Sequence, residues 1–229
     1  MRTNLYTNII HKKTLTYMII ILSFLIMMTI ASCSNTSKEL IIGVSQCSHD
    51  EWRTRMNEEI LREALFYPNL KVDIRTANDD NNKQIADIEN FISQRVDLLV
   101  IAPNEAKAIT PVIEKAYHNN IPVVLVDRKI LSDKYTAFVG GDNFELGKQI
   151  GTYITNRLEG KGNIVELTGL KGSSPAVERH RGMTEILKEY PSINIIATED
   201  ASWSKDNARS KFDSILQVHN NIDIVFAQN

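Results

Sequence analysis

The stretch that decides the fold is Ile121-Pro-Val-Val-Leu-Val-Asp127-Arg128, where an apolar run ends in a carboxylate and a guanidinium. An unbroken apolar run predicts a strand covered on both faces, as in a parallel sheet with helices on each side. Ligands bind beyond the carboxyl ends of strands in such sheets, so this Asp-Arg pair is placed to meet a small polar molecule. The alternative is a strand-end ion pair that only orients its loop, and the stretch itself leaves both interpretations open.

Strand and helix patterns alternate along the chain on both sides of this stretch. Further strands are predicted at 40–45, 72–76, 97–101, 137–139, 163–168, 193–198 and 222–226. Helix patterns lie between most of them, as at 143–158, where Leu146, Ile150 and Ile154 recur every fourth residue. Repeated βα units of this length predict an α/β fold with parallel sheets and right-handed crossovers.

Local signals predict where the first helix begins and ends. Ser48-His-Asp-Glu51 has the pattern of a capping box, with Ser48 as the N-cap and Glu51 at the third helical position. The helix is expected to continue to about Phe66, because the turn residues Pro68 and Asn69 follow.

The segment Gly140-Gly-Asp-Asn143 is the best candidate for a domain boundary, because a second series of βα units starts after it. We therefore expect a first lobe at 40–140 and a second lobe at 141–229. The chain stops directly after a strand, where a parallel sheet normally continues into a helix. The second lobe is accordingly expected to be incomplete at its C-terminus.

The N-terminal residues have the pattern of an export signal. Basic residues precede an apolar run at 17–30, and small residues follow it up to Cys33. Residues 1–32 resemble a bacterial lipoprotein signal, which implies that Cys33 becomes the lipidated N-terminus and that 33–39 is a polar tether. A transmembrane anchor is the alternative, although the run is short for one. Either route predicts a protein of the periplasm or cell envelope that is attached to a membrane.

Composition and motifs exclude several classes of protein. The chain has 26 basic and 28 acidic residues with no strongly basic segment, which argues against nucleic-acid binding. It has no phosphate-binding loop, dinucleotide fingerprint or nucleophile elbow, and its histidines lack metal-ligand spacing. We therefore predict no catalytic residues, no metal site and no cofactor.

The loops after the predicted strands are rich in hydroxyl, amide, carboxylate and guanidinium groups, and they contain both tryptophans. Asp accepts hydrogen bonds from neighbouring hydroxyls, Arg donates in a fixed fork, and an indole stacks on sugar C–H groups, so this mixture suits a sugar. The candidate ligand-binding residues are Ser48, Asp50, Trp52, Asn104, Asp127, Arg128, Arg179, Trp203 and Asn229. Ordinary capping or loop hydrogen bonding remains the alternative for each of them.

Several motifs are shared with one known family. They are 121–128, Gly141-Asp-Asn143 with Gly147, Ser174-Pro-Ala-Val-Glu-Arg179 with Arg181-Gly182, and Val225-Phe-Ala-Gln-Asn229. From Leu40 on, the chain resembles the periplasmic sugar-binding proteins of the ribose-binding type, which share their fold with the core of LacI-type repressors. The resemblance implies two doubly wound lobes, joined by a hinge, that close over one sugar. It also implies that Asp127, Arg128, Arg179, Trp203 and Asn229 contact that sugar.

The first loop departs from the ribose-binding pattern. His49-Asp-Glu-Trp52 stands where ribose-binding proteins have Asn-Pro-Phe-Phe, so a single aromatic remains and ribose is not the expected ligand. The sequences at 43–48, 50–53 and 101–106 resemble those of the periplasmic sensor domains of hybrid two-component systems that detect carbohydrates. We expect a sensor domain coupled to a histidine kinase. The alternatives are a solute-binding lipoprotein that serves an ABC permease and, third, a secreted enzyme on the same scaffold. In each binding role, Asp127→Ala in the full-length protein is expected to abolish sugar binding with little effect on folding.

Overall fold

The computed structural model describes Met18 and residues 38–228 of the chain. The predictions for the export signal, for Cys33 and for Asn229 therefore lie outside the described residues. From Glu39 onward the chain forms one compact unit. Within the part of the chain that the structure describes, no helix combines the length and apolarity needed to cross a membrane.

Strands and helices alternate in nearly the predicted order. The strands are β1 (Leu40–Gln46), β2 (Leu70–Thr76), β3 (Leu98–Ile101), β4 (Val123–Val126), β5 (Ala137–Val139), β6 (Lys161–Thr168), β7 (Ser192–Asp200) and β8 (Ile224–Ala227). The helices are α1 (Glu51–Ala64), α2 (Asn81–Gln94), α3 (Ala106–His118), α4 (Asn143–Arg157), α5 (Ser174–Leu187) and α6 (Lys205–Val218). The prediction of an α/β fold with parallel sheets is confirmed.

The strands form two separate parallel sheets. The first has the order β2-β1-β3-β4-β5 and the second the order β7-β6-β8. In each sheet, the second strand along the chain lies on one side of the first strand and the third lies on the other side. The strand order therefore reverses between β1 and β3 in the first sheet and between β6 and β8 in the second. Open parallel sheets bind ligands at such reversal points, in the crevice beyond the carboxyl ends of the strands. The topology thus marks the loops after β1, β3, β6 and β8 as places for a site.

The opening apolar stretch is buried more completely on one face than on the other. Val123 and Leu125 of β4 are 0% exposed and pack in a core formed by α2, α3 and β3. Val124 and Val126 point to the opposite face and are only half-buried. Right-handed crossovers place α1 on this second face. The chain moves from β1 to β2 toward one edge of the sheet, whereas β3, β4 and β5 follow toward the other edge, so α1 lies on the face opposite to α2 and α3. The predicted burial is therefore complete on one face and partial on the other.

Two glycine contacts hold α4 and α5 close together in the second lobe. A Cβ atom at Gly147 would overlap the backbone oxygen of Arg179, and one at Gly182 would overlap the backbone oxygen of Phe144. Backbones approach this closely only where side chains are absent. The pair covers one face of the second sheet around Ile164. Because α5 carries Arg179, this packing also places a candidate site residue.

Candidate functional site

A cleft of ≈ 760 Å³ lies beyond the carboxyl ends of the strands in both sheets. A volume of this order fits a small organic ligand. Its walls combine charged, hydroxyl and aromatic groups from the loops after β1, β2, β4, β6 and β7. The lining residues are Ser48, His49, Asp50, Glu51, Trp52, Arg53, Arg55, Asp79, Asp127, Arg128, Pro175, Arg179, Ser202, Trp203 and Ser204.

Most of the residues predicted from sequence line this one cleft, although their positions in the chain are far apart. Those that do are Ser48, Asp50, Trp52, Asp127, Arg128, Arg179 and Trp203. Asn104 is not among the lining residues, and Asn229 lies outside the described residues. Direct contact of any of them with a ligand stays a prediction.

Asp127 is held in the cleft by a partner that the sequence did not indicate. Its Oδ2 accepts a hydrogen bond from Nη2 of Arg53 at 2.6 Å, whereas Nε of the adjacent Arg128 is 3.8 Å away. Asp127 has a φ of 65°, in the left-handed region, so the chain turns sharply as it leaves β4. The Asp-Arg pair expected from adjacent residues is thus chiefly a pair between Asp127 and α1.

Arg53 is the functional candidate that sequence reasoning missed. It is 3% exposed and is the one buried residue of α1. Within residues 38–228, its Nη1 has no hydrogen-bond partner. Arginines in a first helical turn usually face solvent, so the residue type did not predict that Arg53 is buried. The available signal was position, since the first turn after β1 lies at the sheet edge where ligands bind.

The cap of α1 is Asp50, which corrects the predicted capping box. Asp50 Oδ1 accepts from the backbone N of Arg53 at 2.8 Å, and Ser48 Oγ donates to Asp50 Oδ2 at 2.7 Å. The helix starts at Glu51, so the aspartate directly before it can accept a hydrogen bond from a backbone amide of the first turn. Ser48 instead donates a hydrogen bond that holds the Asp50 carboxylate in place. Burial acts to raise the pKa of Asp50. The hydrogen bonds from Ser48 and Arg53 and the charges of Arg53 and Arg128 outweigh that effect, so the pKa lies below its usual value.

Arg128 lies deep in the first-lobe wall and contacts the indole of the second lobe. It is 5% exposed, and its Nη1 donates to the backbone oxygen of Asn104 at 3.1 Å. Its guanidinium carbon is 5.9 Å from the centre of the Trp203 ring, and that of Arg179 is 5.4 Å from the same ring. The Trp203 ring thus has one guanidinium from each lobe within cation–π distance. Among the described residues, neither Arg128 Nε nor Trp203 Nε1 has a hydrogen-bond partner.

Arg179 is fixed by contacts on the far side of the cleft from Asp127. Its Nε donates to Oδ1 of Asn143 at 2.9 Å, and its Nη1 donates to the backbone oxygen of Gln228. Partial burial lowers the pKa of Arg179, while the negative charge of Asp127 acts in the opposite direction. The guanidinium of Arg179 and the carboxylate of Asp127 thus face the same cleft from the two lobes.

Asn104 braces the loops behind the cleft wall. It is 1% exposed, and its Nδ2 donates to the backbone oxygen of Asp79 at 3.1 Å and to Asn81 Oδ1 at 2.9 Å. Its backbone N donates to Oε1 of Gln84 at 2.8 Å. These bonds tie the end of β3 to the turn after β2. The structure therefore supports an indirect role for Asn104, through the position of Asp79.

Asp79 is a second lining residue that the sequence analysis did not select. It has a φ of 63°, and its backbone N donates a hydrogen bond to the backbone oxygen of Cys47 at 2.7 Å. Partial burial is the main cause that raises its pKa. The charge of Arg128 opposes this effect and the carboxylate of Asp50 adds to it. A carboxylate placed where its charged form is disfavoured is a candidate ligand contact.

Asp79→Asn is expected to make the protein more stable at neutral pH and, if Asp79 contacts the ligand, a weaker binder. The raised pKa means that the folded state disfavours the ionised form, and this penalty disappears as the pH falls through the folded-state pKa. Asparagine also tolerates the left-handed backbone. Thermal unfolding at pH 7 and pH 4 measures the effect, with Asp213→Asn, at an exposed position of α6, as the matched control. An unchanged melting temperature at pH 7 would contradict it.

Gly169→Ala is expected to displace Trp203 and weaken ligand binding. A Cβ atom at Gly169 would overlap the indole carbons of Trp203, and this ring belongs to the second-lobe wall. Trp203 has a φ of 59°, so its backbone has little freedom to adjust. Fluorescence should show a red-shifted Trp203 emission, and calorimetry an affinity about tenfold lower. Gly141→Ala, which meets nothing within 4 Å, is the control.

The chain matches one family and several solved structures. The family model described as a periplasmic binding protein domain matches residues 42–229. The ribose import binding protein of Bacillus subtilis is 30% identical over 199 residues, which are 86% of this chain and 64% of that protein. The galactofuranose-binding protein of Escherichia coli is 33% identical over 198 residues, which are 83% of this chain and 62% of that protein.

Among solved structures, the fructose-binding periplasmic domain of a hybrid two-component system is 54% identical to this chain, with a TM-score of 0.78. The alignment covers 82% of this chain and 63% of that structure. The chain thus spans less than two thirds of the length of each of these three proteins.

Proposed function

Because the chain belongs to the family of the periplasmic binding protein domain, we propose that it binds one monosaccharide or small oligosaccharide between two closing lobes, at 40–140 and 141–229. One observation carries the proposal. Asp127 and Arg128 of one lobe and Arg179 and Trp203 of the other line the same cleft. Fork-shaped donors, a carboxylate acceptor and an indole face are the groups that bind hydroxyls and the C–H face of a sugar ring.

Fructose is the first candidate ligand. The fructose-binding periplasmic domain is 54% identical to this chain, whereas the ribose and galactofuranose binding proteins are 30% and 33% identical. The departure of 49–52 from the ribose-binding pattern argues against ribose. Galactofuranose and ribose are therefore the comparison ligands in any test.

Closure of the lobes is proposed as the event that reports the sugar. Among the described residues, direct bonds already join the lobes beside the cleft. Lys129 N donates to Ser174 Oγ at 2.6 Å, Lys129 Nζ lies 3.1 Å from Glu178 Oε1, and Ala106 N donates to Gly172 O at 3.1 Å. A ligand that contacts both walls stabilises the arrangement in which these bonds form, so binding shifts the population toward closure.

Two downstream roles compete, and we propose the sensor first. The likeness to the periplasmic domain of a hybrid two-component system supports a domain that passes closure to a histidine kinase. The likeness to ribose import binding protein supports delivery to an ABC permease. Deleting the gene separates them: loss of the transcriptional response to the sugar supports sensing, and loss of its uptake supports import. The full reading frame of the gene gives an independent answer.

The location of the protein is part of the proposal. Family membership supports the periplasm or cell envelope. Attachment to a membrane, through lipidated Cys33 or through the apolar run at 17–30, rests on the sequence pattern.

A thermal-shift screen of the full-length protein, followed by calorimetry, tests the ligand directly. We expect fructose to raise the melting temperature most, because ligand that binds only the folded state adds to its stability. Galactofuranose, ribose and glucose serve as comparisons in the same buffer. If no sugar shifts the transition, the proposed function is refuted; if ribose gives the largest shift, the choice of fructose is refuted.

A further inference from the structure

A fully buried carboxylate lies behind the cleft without lining it. Glu166, in the middle of β6, is 0% exposed, and its strand neighbours Val165 and Leu167 belong to the apolar core. Side chains alternate along a strand, so Glu166 shares its face with Ile164, on the side of α5. Burying a carboxylate is costly unless charges and hydrogen bonds compensate, which suggests a reason beyond packing.

Both oxygens of Glu166 have defined partners. Oε1 accepts a hydrogen bond from Nε2 of Gln228 at 2.8 Å, and Oε2 lies 2.7 Å from Nδ1 of His180. Gln228 is 5% exposed, and its Nε2 also donates to the backbone oxygen of Ala176 at 3.3 Å. These acceptors hold the Gln228 amide in one orientation, because a flipped amide would set its oxygen against the carboxylate.

Gln228 forms hydrogen bonds with Arg179 and with Gly169, on which the Trp203 ring packs, and Arg179 and Trp203 both line the cleft. Its Oε1 accepts from the backbone N of Gly169 at 3.2 Å, and the ring of Trp203 lies directly on Gly169. Its backbone oxygen accepts from Nη1 of Arg179. The orientation of one amide is therefore connected to the indole and to the guanidinium of the same wall.

We propose that Glu166 and Gln228 are positioning residues for the ligand cleft. The Glu166 carboxylate fixes the Gln228 amide, and Gln228 then holds Trp203 and Arg179 in the geometry that the ligand requires. A carboxylate suits this role because it only accepts hydrogen bonds, which leaves its partner one orientation. The proposal deepens the proposed sugar binding and rests on it.

Gln228→Glu tests the proposal, because it keeps the size of the side chain and places a second carboxylate next to that of Glu166. The variant also loses the donors to Glu166 and Ala176. We expect the dissociation constant for fructose to rise at least about tenfold, since bonds to a buried charged group are lost. Gln217→Glu, which makes the same exchange at an exposed position of α6, is expected to leave affinity unchanged.

The reversed pair Glu166→Gln with Gln228→Glu provides the decisive comparison. It restores an amide-to-carboxylate hydrogen bond between the two positions and keeps an acceptor for Gly169 N. We expect it to recover part of the lost affinity, because the backbone oxygen of Ala176 still lacks the donor that Gln228 supplies. A Gln228→Glu variant that binds fructose like the wild type, or a reversed pair that binds no better than that single variant, would overturn the proposal.

Trp203 emission gives a readout that a purely structural role would not move. The chain has two tryptophans, so a Trp52→Phe background isolates Trp203. We expect Gln228→Glu to red-shift this emission without ligand and the reversed pair to reverse the shift. If Gln228→Glu does not fold, Gln228→Asn replaces it, because its shorter side chain cannot reach Glu166 and Gly169 together. A wild type that binds no sugar refutes the proposed function, whereas unchanged Trp203 emission refutes the positioning role.

Discussion

Replacing Asp127 by asparagine is expected to weaken sugar binding about a hundredfold and to leave the protein folded. The variant removes the charge that Arg53 pairs with and weakens the acceptor offered to sugar hydroxyls. Losing a hydrogen bond from a sugar hydroxyl to a charged acceptor costs up to about 3 kcal/mol, which corresponds to roughly a hundredfold in affinity. The effect should appear in calorimetry with fructose, the first candidate ligand.

The structure makes asparagine a sharper test than the alanine suggested by the sequence. Asp127 has a φ of 65°, a conformation that asparagine accepts and alanine does not favour. Alanine would also leave the guanidinium of Arg53, which is 3% exposed, without its closest partner. We therefore expect Asp127→Ala to lower stability as well as affinity.

Asp133→Asn is the matched control for this experiment. Its side chain is 86% exposed and pairs only with Lys134, at 3.0 Å, among the contacts described. Exposed pairs of this kind contribute little to stability, so affinity and melting temperature should stay unchanged. If Asp127→Asn binds fructose as tightly as the wild type, Asp127 is a structural ion-pair residue and the site assignment is wrong.

Gly182→Ala is expected to destabilise the second lobe more than any surface change. A Cβ atom there would overlap the backbone oxygen of Phe144, so α5 must move away from α4. Overpacking against backbone costs about 3 kcal/mol, which lowers the melting temperature of a protein of this size by roughly 6–12 °C. Arg179 lies on the same helix, so sugar affinity should fall together with stability.

Differential scanning calorimetry measures this loss, with Gly141→Ala as the control. Gly141 lies shortly before α4, and a Cβ atom there would meet nothing within 4 Å. The control should therefore change stability by less than about 0.5 kcal/mol. Equal melting temperatures for the two variants would show that the helices separate at no cost, contrary to the packing.

The sequence alone predicted the order of the elements because that order depends on local patterns. An apolar run after Pro122, polar turns and repeated helical spacing are readable without long-range contacts. Parallel topology follows from the repeated βα units, and the ends of parallel strands meet at one edge. This is why Asp127, Arg128, Arg179 and Trp203 were selected as one site although 76 positions separate the first from the last.

Only the tertiary structure decided which side chains pair within that site. Arg53 reaches Asp127 across 74 positions, and the left-handed turn at Asp127 directs the carboxylate toward it rather than toward Arg128. The network of Glu166, Gln228 and Arg179 likewise joins β6, α5 and the residue directly after β8. Hydrogen bonds depend on distances of tenths of an ångström, which follow from packing in three dimensions. Patterns along the chain determine where polar groups gather, and packing determines what each of them contacts.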